Sequence, residues 1–268
     1  WRLGELATVH GFEPDEDECA ALNAKASDLE RFYPVALGER DGTATLHLSS
    51  EEGAASLLPL LHPSDPRISH YPLVAASKDA GSVTVPMNTY QTWANTHGLV
   101  RGADVCKLDT QGYELYVLQG MGEHLRDVLA IECEMLFTPM YEQQPMFSDI
   151  DEHLRAHGLH LWRLDHLVHY TEVHSPLLRR QSTAVYNNVR THSPAGGGRL
   201  FWGDATYFRD PHTIPMTSQD AGRRLLTLAA LFDGAGETDG ALASLEHLLS
   251  SPSGALGWGS LCIPEEEA

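Results

Sequence analysis

Three acids stand where apolar runs give way to turns: Glu13 in "GFEPD", Asp109 in "VCKLDTQGYE" and Glu134 in "AIECEM". In open α/β sheets, ligands bind beyond the carboxyl ends of the strands. A carboxylate at such an end can accept from two adjacent ribose hydroxyls, orient an acceptor hydroxyl, or take its proton. Glu13 suits the first role, because Pro14 bars continuation of the strand and fixes where the side chain points. A simpler role is open to each acid as well. Glu13 can cap the next helix, and an acid at Asp109 gains about 0.3–1 kcal/mol from the dipole of the helix behind it.

The elements that must position these acids are legible in the pattern. "ATVHGFEP" (7–14), "RFYPVALGER" (31–40), "GTATLHLSS" (42–50), "GSVTVPM" (81–87), "ADVCKLD" (103–109), "DVLAIECEM" (127–135) and "LHLWRL" (159–164) read as strands. Helices are expected over 15–28, 89–98, 113–121 and 148–158, the last starting at a capping Ser148 and ending at Gly158. Near-continuous apolar runs such as 103–109 suit strands buried on both faces. The alternation predicts an α/β fold with a parallel, doubly wound sheet. After a loop at 191–199, two antiparallel helices follow, with Leu225, Leu228, Leu231 on one apolar face and Ala241, Leu245, Leu248 on the other. That hairpin is similar to one tetratricopeptide-like unit.

Composition bounds the partners. The 268 residues carry 18 Lys and Arg against 37 Asp and Glu, a net charge of −19. Such a surface repels phosphate backbones, which argues against nucleic acid, and against anionic membranes. No stretch approaches the ~18 apolar residues of a membrane span. Cys19, Cys106, Cys133 and Cys262 form no CxxC pair and read as free thiols of a reducing, cytoplasmic compartment.

Two stretches carry a family resemblance. "VCKLDTQGYELYVLQGM" followed by "LAIECEMLFTPMYEQQPMFSDIDEHLRAHGLHLWRL" resembles the FkbM-type methyltransferases, with their Lys-hydrophobic-Asp-x-Gln-Gly-x-Glu run, acidic strand and "ply-x-x-q-p-x-f" segment. "GFEPD" (11–15), "VALGERDGTATLHLS" (35–49), "EGAASLL" (52–58) and "FWGDATYFRD" (201–210) are similar to further family segments, so the likeness covers roughly residues 8–210. It implies a Rossmann-like methyltransferase sheet over residues 1–210, incomplete at the N-terminus, with a small C-terminal helical hairpin and polar tail over 211–268. It implies S-adenosylmethionine as cofactor and methyl transfer to a hydroxyl of a small-molecule or glycan acceptor such as a sugar or polyketide. Glu13 and Pro14 would then serve the donor ribose, and Ala36 and Leu37 would lie near the adenine. Asp109 would face the methyl group, with Gln111 and Glu114 shaping the same pocket. Asp109 is the first candidate base and Glu134 the second.

The resemblance also implies a first strand and glycine-rich loop ahead of "WRLGELA", between the Glu13 and Asp109 strands, so the natural protein is expected to be longer, the alternative being a homologue degenerate at its N-terminus. Acceptor specificity is expected in the variable loops 51–80 and 170–200.

Two other readings stand beside this one. His153, His157 and His160 form H-x3-H-x2-H, a spacing that can bind zinc in a metal-dependent hydrolase; a solvated helix end is the alternative, and His166 and His169 have the same status. A non-catalytic binding module would instead use the C-terminal hairpin to recruit a partner. No convincing nucleophile elbow is present: Gly257-Trp258-Gly259-Ser260 lies in a polar tail.

Overall fold

The computed structural model describes residues 7–50, 53–71, 79–170, 184–186 and 198–250. Strand β1 (Val9–Phe12) pairs in parallel with β2 (Glu30–Tyr33) across helix α1 (Glu16–Lys25). The stretch expected to be one strand from 31 to 40 is broken at Pro34. A proline has no N–H for the ladder, and the Val35 N–H closes a tight turn onto Tyr33 O at 2.8 Å. The chain resumes as β3 (Ala36–Leu37), which joins a second sheet in the order β3-β5-β4 with β4 (Gly42–Ser49) and β5 (Asp79–Asn88). Helix α2 (Tyr90–Thr96) follows, capped by the Thr89 hydroxyl.

The third sheet holds β6 (Val105–Leu108), β7 (Ala130–Leu136), β8 (Leu159–Tyr170), β9 (Ala184–Tyr186) and β10 (Arg199–Arg209) in the order β6-β7-β10-β8-β9. The α/β class and the Rossmann-like crossover from β6 through α3 (Glu114–Gly120) to β7 match expectation. A wholly parallel sheet does not. Only β6 and β7 run parallel here; β10 is antiparallel to both β7 and β8, and β9 to β8. A parallel neighbour requires a crossover connection, and β10 instead inserts between β7 and β8. Its segment is recognised in the sequence as a motif, not as a central strand. β1 and β6, which the resemblance places on either side of one further strand, lie in different sheets.

Helix α4 (Phe147–Ala156) starts one residue before the expected cap. The Asp149 carboxylate reaches back to accept from the Met146 N–H at 2.7 Å, so Met146, not Ser148, is the N-cap.

Aromatic rings dock the small β1-β2 sheet. Trp93 on α2, 2% exposed, sits 4.7 Å from Phe12, 4.9 Å from Tyr33 and 4.6 Å from His97 between ring centroids. Such offset and edge-to-face pairs add about 0.5–1.5 kcal/mol each beyond their buried area. At the other end of the molecule, the buried Arg209 guanidinium donates to Val128 O, His157 O and Leu125 O at 2.6, 2.8 and 3.0 Å, tying β10 to the loops that flank β7 and α4. Burial lowers its pKa to about 10.

The C-terminal hairpin consists of α5 (Ala221–Ala235) and α6 (Thr238–Leu249), with Gly236 at φ +81° making the turn. The expected α5 face is buried: Leu225, Leu228 and Leu231 pack with Phe232 on Leu129, Ala130 and Phe208. The expected α6 face is buried in part: Ala241 and Leu248 pack against the same cluster, while Leu245 is 37% exposed and the fully buried residues are Gly240 and Ser244. The reason is backbone proximity, since a Cβ on Gly240 would lie 2.4 Å from the Phe232 ring. Small residues therefore make the closest approach to α5, and Leu245 turns outward.

A close approach elsewhere sets a stability test. A Cβ on Gly120 would meet Gly38 O at 1.9 Å, whereas one on Gly234 would meet nothing within 4 Å. Gly120→Ala is expected to cost about 1–3 kcal/mol through overpacking, and Gly234→Ala to add about 0.5–1 kcal/mol through helix propensity. Thermal melts of both variants decide it; equal shifts would refute the contact.

Candidate active site

The site is built on the turn between β6 and α3. β6 ends at Leu108, and Asp109-Thr110-Gln111-Gly112 then carries the chain into the helix. Gln111 and Gly112 both have positive φ, +54° and +94°. For a non-glycine residue that conformation costs roughly 1–3 kcal/mol unless its surroundings hold it. Here they do. The buried Glu114 carboxylate accepts from the Thr110 N–H at 2.8 Å, the Thr110 hydroxyl at 3.1 Å and the Gly112 N–H at 3.2 Å. The Ser56 hydroxyl donates to Gln111 O at 2.7 Å. The Tyr141 hydroxyl donates to Gln111 Oε1 at 3.0 Å, and a Cβ on Gly112 would come within 3.0 Å of the Tyr141 ring. Burial nevertheless raises the Glu114 pKa, opposed by its own backbone N–H, those of Thr110 and Gly112, and the Thr110 hydroxyl.

Held this way, Gln111 points its amide across the strand ends. Its Nε2 donates to Asp109 Oδ1 at 3.0 Å and to Glu134 Oε2 at 3.3 Å. Asp109 is exposed at the rim and Glu134 is partly buried behind it. Across the ladder, Asp204 on β10 is the direct partner of Glu134, and Glu132 pairs with Lys107. The Lys107 ammonium is committed to Glu132 at 2.9 Å. Burial pushes the Glu134 carboxyl up to about 8, assisted by the charges of Asp109, Glu114 and Asp204 and opposed by Lys107. The cluster thus has acceptors in excess and resists further negative charge. A compact cation set against it would relieve the repulsion, and a sulfonium fits that requirement.

Asp109, Gln111, Glu114 and Glu134 therefore converge in one hydrogen-bonded group. The other expected donor contacts do not enter it. Glu13 accepts from the Asp15 N–H at 2.9 Å in the turn before α1, whose cap is Asp15 itself, accepting from the Glu18 N–H at 2.9 Å; with Pro14, Glu13 follows β1 in the separate sheet. Ala36 and Leu37 pair with Met87 and Asn88 in the β3-β5 ladder, and Ala36 is buried in the core. They approach α3 indirectly, through Gly38 and through Glu39, whose carboxylate accepts from the Tyr113 hydroxyl at 2.6 Å.

Sequence reasoning did not single out Tyr141, Ser56 or Asp204. The first two lie within quoted family segments, "FTPMYEQQP" and "EGAASLL", so their signal was present without a role attached. Asp204 lies in "FWGDATYFRD", whose placement beside β7 only the sheet order reveals.

The histidine trio does not form a metal centre. The rings of His153 and His157 lie 4.6 Å apart at a 42° tilt, and His157 Nδ1 lies 2.8 Å from the His153 carbonyl, while His160 stands exposed on β8. Among the described residues no group of three His, Cys, Asp or Glu is placed to hold a metal ion. No helix among them is long and apolar enough to cross a membrane.

A Rossmann-like α/β body with polar groups gathered at the carboxyl ends of its parallel strands has the architecture of a ligand-binding α/β protein. Residues 1–161 match the methyltransferase FkbM domain, and the chain belongs to that family of S-adenosylmethionine-dependent methyltransferases. No curated protein and no solved structure matched it.

The Glu134 environment has a measurable consequence. A carboxyl near 8 in the folded chain, against about 4.3 when unfolded, is protonated in the fold while the unfolded chain has already ionised. The unfolded state then binds fewer protons, so this group makes stability fall as pH rises from about 4.3 to about 8. Glu134→Gln is expected to flatten that part of the stability profile and to remove one protonated-carboxyl infrared band at neutral pH. A wild-type spectrum lacking such a band would refute it.

Proposed function

We propose that the chain is an O-methyltransferase that moves the methyl group of S-adenosylmethionine to a hydroxyl of a small-molecule or glycan acceptor, such as a sugar or polyketide, in the cytoplasm. The observation that carries this reading is the convergence of Asp109, Gln111 and Glu134 at adjacent parallel strand ends in a chain of the FkbM family. We take residues 1–210 as the catalytic body and 211–268 as its appendage. The α5 leucines are spent on that body, which weighs against a hairpin kept free to recruit a partner. Of the loops expected to shape the acceptor pocket, 53–71 lie among the described residues and most of 170–200 lie outside them.

S-adenosylmethionine supplies, when bound, a methyl group already activated by the sulfonium charge. What remains for the protein is alignment, electrostatics and one proton. Alignment in a near-attack geometry lowers a barrier by about 7–11 kcal/mol. Asp109, at the exposed rim, accepts the acceptor hydroxyl and orients it. Gln111 fixes Asp109 from one side, and Glu114 fixes the backbone beneath it. Glu134, protonated near neutrality, keeps a second oxygen pair beside the reacting centre without adding a full charge. Glu13 holds the Asp15 N–H through Oε1, and a carboxylate with two oxygens can accept from the donor ribose as well.

Calorimetry and radiolabelled methyl transfer to a panel of hydroxyl compounds test these roles. Asp109→Asn is expected to lower turnover by about 10²–10⁴-fold with little change in donor affinity; an unchanged rate removes Asp109 from the mechanism. Glu13→Ala is expected to weaken donor binding, and an unaltered dissociation constant would refute the ribose contact.

A further inference from the structure

Next to Glu134, the sheet carries a device that the roles above leave unused. Between the pairs Trp202–Val168 and Asp204–Asp165, β8 advances three residues while β10 advances two, so β8 holds one extra residue. This is a β-bulge, a feature that bends a strand and re-aims a side chain, often beside active sites. His166 lies in it with φ +49°, the left-handed region. The opposing strand is fitted to the bulge. A Cβ on Gly203 would lie 2.7 Å from Leu167 Cδ2 and 3.0 Å from Asp165 O, so a side chain there would press on the bulge. The re-aimed imidazole places Nδ1 at 2.7 Å from Asp204 Oδ2, and Asp204 is the cross-strand partner of Glu134. The His166 side chain remains 67% exposed.

We propose that His166, oriented by Asp204, is the proton acceptor for the acceptor hydroxyl in this site. The inference rests on the methyl-transfer reading and adds the base to it. A carboxylate only accepts hydrogen bonds, so the contact at 2.7 Å puts the imidazole proton on Nδ1 and leaves the Nε2 lone pair free. As the acceptor oxygen forms its bond to the methyl carbon, its proton passes to Nε2. The methyl–sulfur bond breaks with its electron pair going to sulfur, which leaves as a neutral thioether. The imidazolium, facing solvent, then returns the proton to water. A hydroxyl has one proton to donate, so on this assignment Asp109 contributes its charge at the rim, facing the sulfonium, in place of the hydroxyl contact, while Asp204 is a positioning residue acting through His166.

The test reads the imidazole itself and needs no acceptor. Long-range proton–nitrogen NMR of the full chain, at mildly alkaline pH, reports the tautomer, with the His166→Gln spectrum giving the assignment. The expected result is the Nδ1–H form, the reverse of what free histidine favours, with a return to a mixture in Asp204→Asn. Diethyl pyrocarbonate labelling followed by mass spectrometry gives a second readout. Label is expected at His166 several-fold faster than at exposed His160, with the excess lost in Asp204→Asn. An Nε2–H tautomer in the wild type, or identical tautomers and labelling in the variant, overturns the proposal. S-adenosylmethionine calorimetry on the same samples separates the two readings: with no donor binding, the methyl-transfer role falls even where the tautomer is as expected.

Discussion

The two-residue left-handed passage at Gln111 and Gly112 is the constraint on which the site depends. A strand feeding a helix through so short a turn leaves several N–H groups without ladder partners. The structure answers with one buried carboxylate, Glu114, which accepts from three donors in the turn. That choice has a cost, because a carboxylate with almost no exposure is desolvated. It also has a consequence, since the negative charge it brings helps hold Glu134 protonated. Backbone geometry and site electrostatics therefore come from the same residue.

Support for the turn arrives from well-separated segments. Ser56, from the loop after β4, holds the Gln111 carbonyl, and Tyr141, from the loop after β7, holds its side-chain oxygen. Gln144 in turn accepts from the Met140 and Tyr141 N–H groups at 2.8 and 3.1 Å. The site is thus a meeting of three connections, each pinned by side chains of modest polarity. This arrangement lets the rim residues Asp109 and His166 stay exposed while the groups behind them are fixed, as preorganised catalysis requires.

The hairpin shows a similar economy at the opposite end. α5 spends its leucines on the sheet beneath Phe208, with Phe232 stacked at 4.2 Å, and α6 then packs on α5 through Gly240 and Ser244. Ion pairs fasten its start: Arg101 to Asp220 at 2.8 Å and Arg223 to Asp104 at 3.1 Å. These pairs are partly exposed and worth little individually; the apolar contact carries the docking. Amphipathic periodicity found the α5 face because that face meets a broad sheet. On α6 it found Ala241 and Leu248 but not Gly240 and Ser244, because close helix approach selects small residues, which a search for leucines passes over.

The sequence by itself determined the α/β class, the existence of most elements to within a few residues, and the chemistry-bearing run from Asp109 to Glu114. Local rules govern those features: apolar periodicity, proline and glycine at turns, acids at helix starts. Only the tertiary structure decided which strand lies beside β7, and therefore that Asp204 and His166 stand next to Glu134. Strand order depends on contacts between residues far apart in the chain, and no local pattern around 160–170 or 200–209 encodes them. The same holds for Glu13: the residue was legible as a strand-end acid, but whether it caps a helix or faces a ligand depends on where its small sheet docks.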